Sequence, residues 1–321
     1  KAKELMKAYA AKTFAKKGQA VIEKNYNAID GGGDLLVEVP VIELLNTDKD
    51  YSFVHAYGEF SNRENEHKIL DFIDDYYTTS HPFTPFIIGQ MSDAIGLYHT
   101  NPKLYYVPKQ NALGKYNETY GDELYMIEER PHKSQRNVAS LGNGEAIIST
   151  QELLVNLEKD EKHQVDAQMY LRARIFDFLI GDWDRHSDQW RWVAQENNET
   201  VLYQPIARDR DQAFAKIDGN LLSLLNRLNP LRHMQNFDEK YAKPRWITKS
   251  AFPLDRILLQ NTSAADWNKA AEMVVSGITD EVIAEAFNSL PKEIRKQYSN
   301  DIVEILKVRR SKLVDFSAKY Y

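Results

Sequence analysis

Two aspartate-rich stretches, set on either side of a short two-stranded ribbon, constrain this chain more than any other feature. The first reads Gly181-Asp182-Trp183-Asp184-Arg185-His186-Ser187-Asp188-Gln189, the second Ala207-Arg208-Asp209-Arg210-Asp211-Gln212-Ala213-Phe214. Between them, Gln189 to Ala194 alternates Trp190 and Trp192 onto one face, Glu196-Asn197-Asn198-Glu199 reads as a turn, and Thr200 to Ile206 is rich in β-formers; the pattern predicts a hairpin. An antiparallel hairpin sets the start of its first strand beside the end of its second. Asp184 and His186 then meet Asp209 and Asp211 at one end of the ribbon, opposite a helix C-terminus at Gly181. Crowded carboxylates raise one another's pKa unless a cation joins them. Oxygen donors of this kind suit Mg²⁺ or Mn²⁺, whose sites combine one or two carboxylates with waters and substrate phosphates. The same residues also read as two solvated turns with their charges facing water. His186 reads either as a ligand or base, or as a structural histidine that shapes the loop; Trp183, Trp190 and Trp192 read as packing residues.

Composition narrows the classes. In 321 residues, 43% hydrophobic and 11% aromatic content is enough for a real core and excludes general disorder. The absence of cysteine excludes a disulfide framework, a thiol nucleophile and Cys-ligated metal centres. No run approaches the ~18 apolar residues of a membrane-spanning helix. A net charge of −6 argues against a general nucleic-acid backbone binder. Lys1 is not an initiator Met and the first residues form no signal peptide, as expected of a processed product or a fragment.

Along the chain, residues 1 to 17 read as an exposed helix, Gly31-Gly32-Gly33 as a flexible turn between aspartates, and Leu35 to Val41 as a strand. Asn65 to Tyr77 has helical apolar spacing, as has Phe86 to Leu97; Leu104 to Val107 and Leu124 to Ile127 read as strands, the latter running into Glu128-Glu129-Arg130-Pro131. Residues 132–149 are rich in Gly, Asn and Ser and read as a linker. Beyond Ser149 the pattern is mainly helical: Gln164 to Ile180 stops at Gly181, Ser263 with Asp266 forms a capping box, Thr279 opens another helix and Ser299 caps a terminal one. Lys307, Arg309, Arg310 and Lys312 read as a solvated basic face. The expected organisation is therefore α+β: a smaller mixed lobe over 1–131, a linker over 132–149, and a mainly helical lobe over 150–321.

Helix, acidic loop, hairpin and acidic loop is also the layout of a kinase-type catalytic segment. Asp184-Arg185-His186 with Gln189, then Asp209 to Phe214, resembles the Asp-Arg-His…Asn and Asp-x-x-x-x-Phe elements of atypical kinases: the HipA-type, secretory-pathway and phosphatidylinositol kinases. The resemblance implies a bilobal kinase-like fold and a phosphotransferase using ATP with Mg²⁺ or Mn²⁺. It implies that Asp184, with His186, serves catalysis by orienting or deprotonating an acceptor hydroxyl. Asp209 and Asp211 would hold the metal, with Gln189 standing where the family has Asn, and Glu128, Glu129 and Arg130 would form the hinge that meets the nucleotide. Glu66, Asp74 or Asp75 would partner a phosphate-binding lysine. The departures are plain. No Gly-x-Gly-x-x-Gly occurs, and Lys24, Lys68, Lys103 and Lys109 compete for that lysine without a Val-Ala-Ile-Lys-like strand. A degenerate, inactive relative is the companion expectation.

A second resemblance covers more of the chain. Ile95 to Lys103, Glu128 to Pro131, Phe178 to Trp192 and Lys307 to Tyr321 are similar to an uncharacterised bacterial region found in large envelope polypeptides that also carry calcineurin-like phosphoesterase or outer-membrane barrel domains. It implies an extracytoplasmic address and protein partners in an envelope assembly, so a non-enzymatic scaffold subunit is one alternative. A metal-dependent phosphohydrolase is another: Gly181-Asp182-Trp183-Asp184-Arg185 resembles the Gly-Asp-x-x-Asp-Arg element of metallophosphoesterases with one residue missing, and the eight histidines show no paired ligand spacing.

Overall fold

The computed structural model describes residues 51–55, 83–132, 134–197, 199–216, 233–290 and 292–321. The expectations for residues 1 to 17, the triple glycine, Leu35 to Val41, the Asn65 to Tyr77 helix and Lys24, Lys68, Glu66, Asp74 and Asp75 lie outside these.

The chain is bilobal and α+β. One lobe is built on a three-stranded antiparallel sheet of order β1-β3-β2, from β1 (Tyr51–His55), β2 (Lys103–Val107) and β3 (Glu123–Glu129). Helix α1 (Thr84–Ala94) precedes β2, and the short turn α2 (Asn117–Tyr120) lies between β2 and β3. α1 puts Ile87, Ile88 and Met91 into the common core, as the apolar spacing predicts.

Residues 132–149 do more than connect. Their second half forms β4 (Ala146–Ser149), which pairs antiparallel with β6, and Val138, Leu141 and Ile147 pack against Val193 and Ile206. Gly144 fits because a Cβ there would stand 1.9 Å from a Val193 methyl. Ser149 then caps α3 (Thr150–Lys159) through a reciprocal capping box with Glu152. Next comes β5 (His163–Val165), so residues 163–165, expected at the start of a helix, form a strand parallel to β7 instead. The helix itself, α4 (Ala167–Ile180), starts one residue after its N-cap Asp166, whose carboxylate accepts the Met169 N–H at 2.9 Å.

The predicted hairpin forms as β6 (Trp190–Glu196) and β7 (Val201–Ala207), with Trp190 opposite Ala207. The Asn197 side chain closes the turn by accepting the Glu199 and Thr200 N–H groups at 2.9 and 2.8 Å. The second sheet has the order β4-β6-β7-β5. Trp190 and Trp192 are fully buried and pack with Tyr170 of α4 at ring separations of 4.9 and 5.6 Å. Each such aromatic pair adds about 0.5–1.5 kcal/mol beyond area burial.

α4 carries more than the one apolar face that its spacing shows. Leu171, Ile175, Phe178 and Leu179 are buried as well, because α7 (Ala264–Gly277), α9 (Lys292–Tyr320) and the hairpin enclose it. The remaining helices are α5 (Pro244–Ile247), α6 (Phe252–Leu258) and α8 (Asp280–Asn288). The capping box of Ser263 with Asp266 and the Thr279 cap form as expected. Two readings of the last helix are corrected. It begins at Lys292, so Ser299 is interior and caps nothing: a run of good helix formers just after Pro291 starts the helix a full turn earlier. Nor is its basic cluster a solvated face. Arg309 is 2% exposed and donates to the Phe178 and Leu179 carbonyls, which the end of α4 leaves without helical partners. Among the described residues no helix is long and apolar enough to cross a membrane.

Candidate active site

α4 delivers the first acidic stretch. Gly181 takes the left-handed conformation (φ 76°), so the Asp182 N–H bonds back to the Asp177 carbonyl at 3.0 Å, and the chain leaves the helix sharply. Asp182 is buried. Its Oδ1 accepts the Asp184 N–H at 3.2 Å, which fixes the backbone from which Asp184 projects half-exposed. The second acidic stretch leaves β7 at Ala207, and one further rung, from the Arg208 N–H to the Gln189 carbonyl at 2.9 Å, holds the base of the ribbon closed.

Arg185 joins the two stretches. Its guanidinium lies over the Trp190 ring at 4.6 Å and donates through Nη1 to the Arg208 and Asp209 carbonyls (2.6 and 3.2 Å) and through Nη2 to the Gln189 carbonyl (3.0 Å). The Asp177 and Asp182 carboxylates stand 3.5 Å away and balance its charge. Asp177 also takes Arg174 at 2.7 Å and Arg210 at 3.0 Å, and Arg174 reaches Asp255 at 2.9 Å. This is a buried ionic lattice beneath the acidic loops. Its members are held by pairing, since an isolated buried charge would cost several kcal/mol.

The expected meeting takes place. The Gln189 side-chain amide donates to the Asp209 carboxylate at 3.1 Å. Asp211 lies within electrostatic reach of both Asp209 and Asp184: burial, and after it the Asp209 carboxylate, push Asp211 up to about 7, with Asp184 acting the same way. Asp211 keeps a solvent-exposed edge, which screens part of that effect. Asp209 (φ 51°) and Phe214 (φ 59°) both adopt left-handed backbone, a conformation that favours glycine. Phe214 is held there by its N–H bond to the Ile180 carbonyl at 3.0 Å and by its ring against Phe237.

His186 occupies a loop-shaping position. It caps the short 3-10 turn Ser187–Gln189, with Nδ1 3.3 Å from the Asp188 N–H and Nε2 3.3 Å from the Gln189 amide. A neutral imidazole accepts at one nitrogen only, so the two contacts are not both strong hydrogen bonds.

A cavity of about 190 Å³ opens beside Asp209 and Asp211. Its walls include Gly89 and Ile88 of α1, the loop His99 to Pro102, Met126 and Glu128 of β3, and Ala207 to Asp211. Strand alternation divides the three hinge residues. Glu128 faces the cavity; its carboxylate accepts the Thr100 hydroxyl at 2.9 Å, and burial holds its pKa above the usual carboxylate range. Glu129 instead accepts the Asn101 N–H at 2.7 Å, away from the cavity, and Arg130 is exposed. Of the candidate lysines among the described residues, Lys103 is exposed and Lys109 pairs with Glu118 at 2.9 Å; neither lines the cavity.

The donor set bears on a metal. Among the described residues no three His, Asp or Glu side chains converge into a ready-made cage, so the several-ligand site of two-metal hydrolysis is not assembled there. Mg²⁺ needs no such cage, being held by one or two carboxylates with waters and substrate phosphates completing its shell. Asp209 and Asp211 fit that pattern. The sequence reading left Arg185, Asp177 and Asp182 without roles. The available signal was Asp177 itself, a carboxylate inside the apolar run of α4, which demands a buried partner.

No protein-family model matches the sequence, and no curated protein matches it by sequence. By structure, the chain is similar to the proinflammatory kinase CtkA of Helicobacter pylori, at 11% identity over 84% of this chain and 89% of that one, with a TM-score of 0.38. It is also similar to a chain of the HipA, HipB and operator DNA complex of a Shewanella oneidensis MR-1 toxin–antitoxin system, at 13% identity over 74% of this chain and 55% of that one, with a TM-score of 0.31.

Proposed function

We propose that this protein is a kinase-like phosphotransferase that binds a nucleotide with a divalent metal in the cavity between β3 and the Asp209 loop. The observation that carries the reading is the Gln189–Asp209 contact at the base of the hairpin, on the wall of a cavity that Glu128 shares. Left-handed backbone at Asp209 and Phe214 supports it, since strained residues of this kind cost on the order of 1–3 kcal/mol each and cluster at functional sites. In this reading Asp209 and Asp211 hold Mg²⁺ or Mn²⁺, and a half-turn of the Gln189 amide presents its oxygen beside them. Asp184, projecting half-exposed from a backbone that Asp182 fixes, orients the acceptor hydroxyl. The bound metal would neutralise charge on the transferred phosphoryl group. His186 shapes the loop that carries Asp184.

The test is calorimetric titration of the protein with ATP in the presence of Mg²⁺ or Mn²⁺, together with assay of ADP formation. Metal-dependent binding that Asp209→Asn abolishes is expected; no binding at millimolar ATP with either metal would overturn the reading. A non-catalytic nucleotide-binding relative is the second reading. It is favoured by the cavity wall, where no described lysine stands, and binding without ADP formation would select it.

A further inference from the structure

Among the arginines at the base of the hairpin, Arg208 differs from its neighbours. Arg185 is spent on three backbone carbonyls and two carboxylates, Arg210 on Asp177 and Ser92, and Arg191 on the Asp188 and Trp190 carbonyls. Arg208 lines the cavity, and its Nε is buried with no hydrogen-bond partner among the described residues. Its backbone is fixed on both sides: the N–H donates to the Gln189 carbonyl and the carbonyl accepts from Arg185. The guanidinium therefore springs from a rigid root, one residue before Asp209. A buried N–H left without a partner costs about 1–3 kcal/mol, so an arginine placed this way is waiting for an acceptor.

The other charged groups on the cavity wall say what that acceptor is. Glu128, Asp209 and Asp211 are carboxylates suited to a cation, and Arg210 is committed to Asp177. An anion entering this space meets Arg208 as the cation with unused donors. The guanidinium fork matches phosphate oxygens two at a time, which an ammonium does not. We propose that Arg208 is the phosphate-binding cation of the cavity, contacting the polyphosphate of the bound nucleotide in the role for which the sequence offers no assigned lysine. The inference rests on the nucleotide reading for the identity of its ligand. Its physical content, an anion site at Arg208, is separately measurable.

The experiment titrates wild-type, Arg208→Gln and Arg208→Lys proteins with three probes: tripolyphosphate with Mg²⁺, ATP with Mg²⁺, and adenosine. Circular dichroism melts confirm that each variant is folded. Arg208→Gln is expected to weaken tripolyphosphate and ATP about ten- to a hundredfold, the range of a charge-assisted hydrogen bond, and to leave adenosine unchanged. Arg208→Lys, which keeps the charge and loses the fork, is expected to fall between. Arg208→Gln binding both phosphate probes within about twofold of wild type overturns the inference while the nucleotide reading stands. Tripolyphosphate binding that depends on Arg208, with no added affinity for ATP and none for adenosine, upholds the anion site and removes the nucleotide. Wild-type protein that takes none of the three probes overturns both.

Discussion

The Gln189 amide and the Asp209 carboxylate meet at 3.1 Å although they stand on opposite strands' outer ends, 20 residues apart in sequence. Gln189 is buried and Asp209 is exposed, so the amide fixes a carboxylate that water would otherwise let swing. Gln189→Ala is expected to cost about 1–2 kcal/mol, the net worth of one hydrogen bond to a charged group that water partly replaces. Urea denaturation with an unchanged m-value reads it. A change below about 0.3 kcal/mol would mean that the contact does not hold Asp209 in place.

Arg185 should be the least replaceable residue of the site. Arg185→Met leaves Asp177 and Asp182 with less compensating charge and three carbonyls without a donor. Removing one partner of a buried ionic group costs about 3–5 kcal/mol. Arg185→Lys should recover little of this, since one ammonium cannot span three carbonyls and lie on Trp190 as well. Equilibrium denaturation of both variants checks the ordering; a lysine variant as stable as wild type would contradict it.

Burial holds Asp182 up at about 8, against the opposing pull of Arg185. An unfolded aspartate titrates near 3.9, so between the two values the folded chain holds the proton more firmly. The stability tied to this proton is therefore complete below about pH 4 and is lost as pH rises toward 8. Exposed carboxylates with lowered values, such as Asp266 and Asp280, act in the opposite sense and only below about pH 4. Asp182→Asn keeps the acceptor for the Asp184 N–H and removes the proton. In metal-free buffer its melting temperature should depend less on pH between 4 and 8 than that of wild type, and parallel curves would exclude the effect.

Gly181 allows the turn from α4 into the acidic loop. Gly181→Ala must hold φ 76°, and its Cβ would stand 2.8 Å from the Phe237 ring. Left-handed backbone and overpacking together predict a loss of about 2–4 kcal/mol, read by thermal or urea melts. A neutral substitution would show that Phe237 yields freely.

What the sequence disclosed was mostly local. The hairpin was readable from Trp190 and Trp192 alternating ahead of an Asn-rich turn, and the caps at Ser263 and Thr279 from short patterns that act over three residues. The pairing of β4 with β6 and the parallel pairing of β5 with β7 were not readable, because three- and four-residue strands carry little signal and their partners lie far along the chain. The same distance hid the lattice under the site: Arg174 meets Asp255 across 81 residues. Ser299 misled because a cap pattern looks the same inside a helix that has already begun. At the site, the convergence of Gln189 and Asp209 followed from hairpin topology alone. The division of Glu128 from Glu129 required knowing which face of β3 the cavity occupies.

Arg309 donates to the Phe178 and Leu179 carbonyls across 131 and 130 residues. The point where the acidic loop departs from α4 is thus pinned by a side chain made near the end of synthesis. A nascent chain that has already emerged past the hairpin still lacks this clasp, so the loop acquires its final shape only after residue 309 has left the ribosome. Any intermediate that docks α4 before α9 would carry unfinished chemistry, and the protein gains its working centre late, with the closing of its last helix.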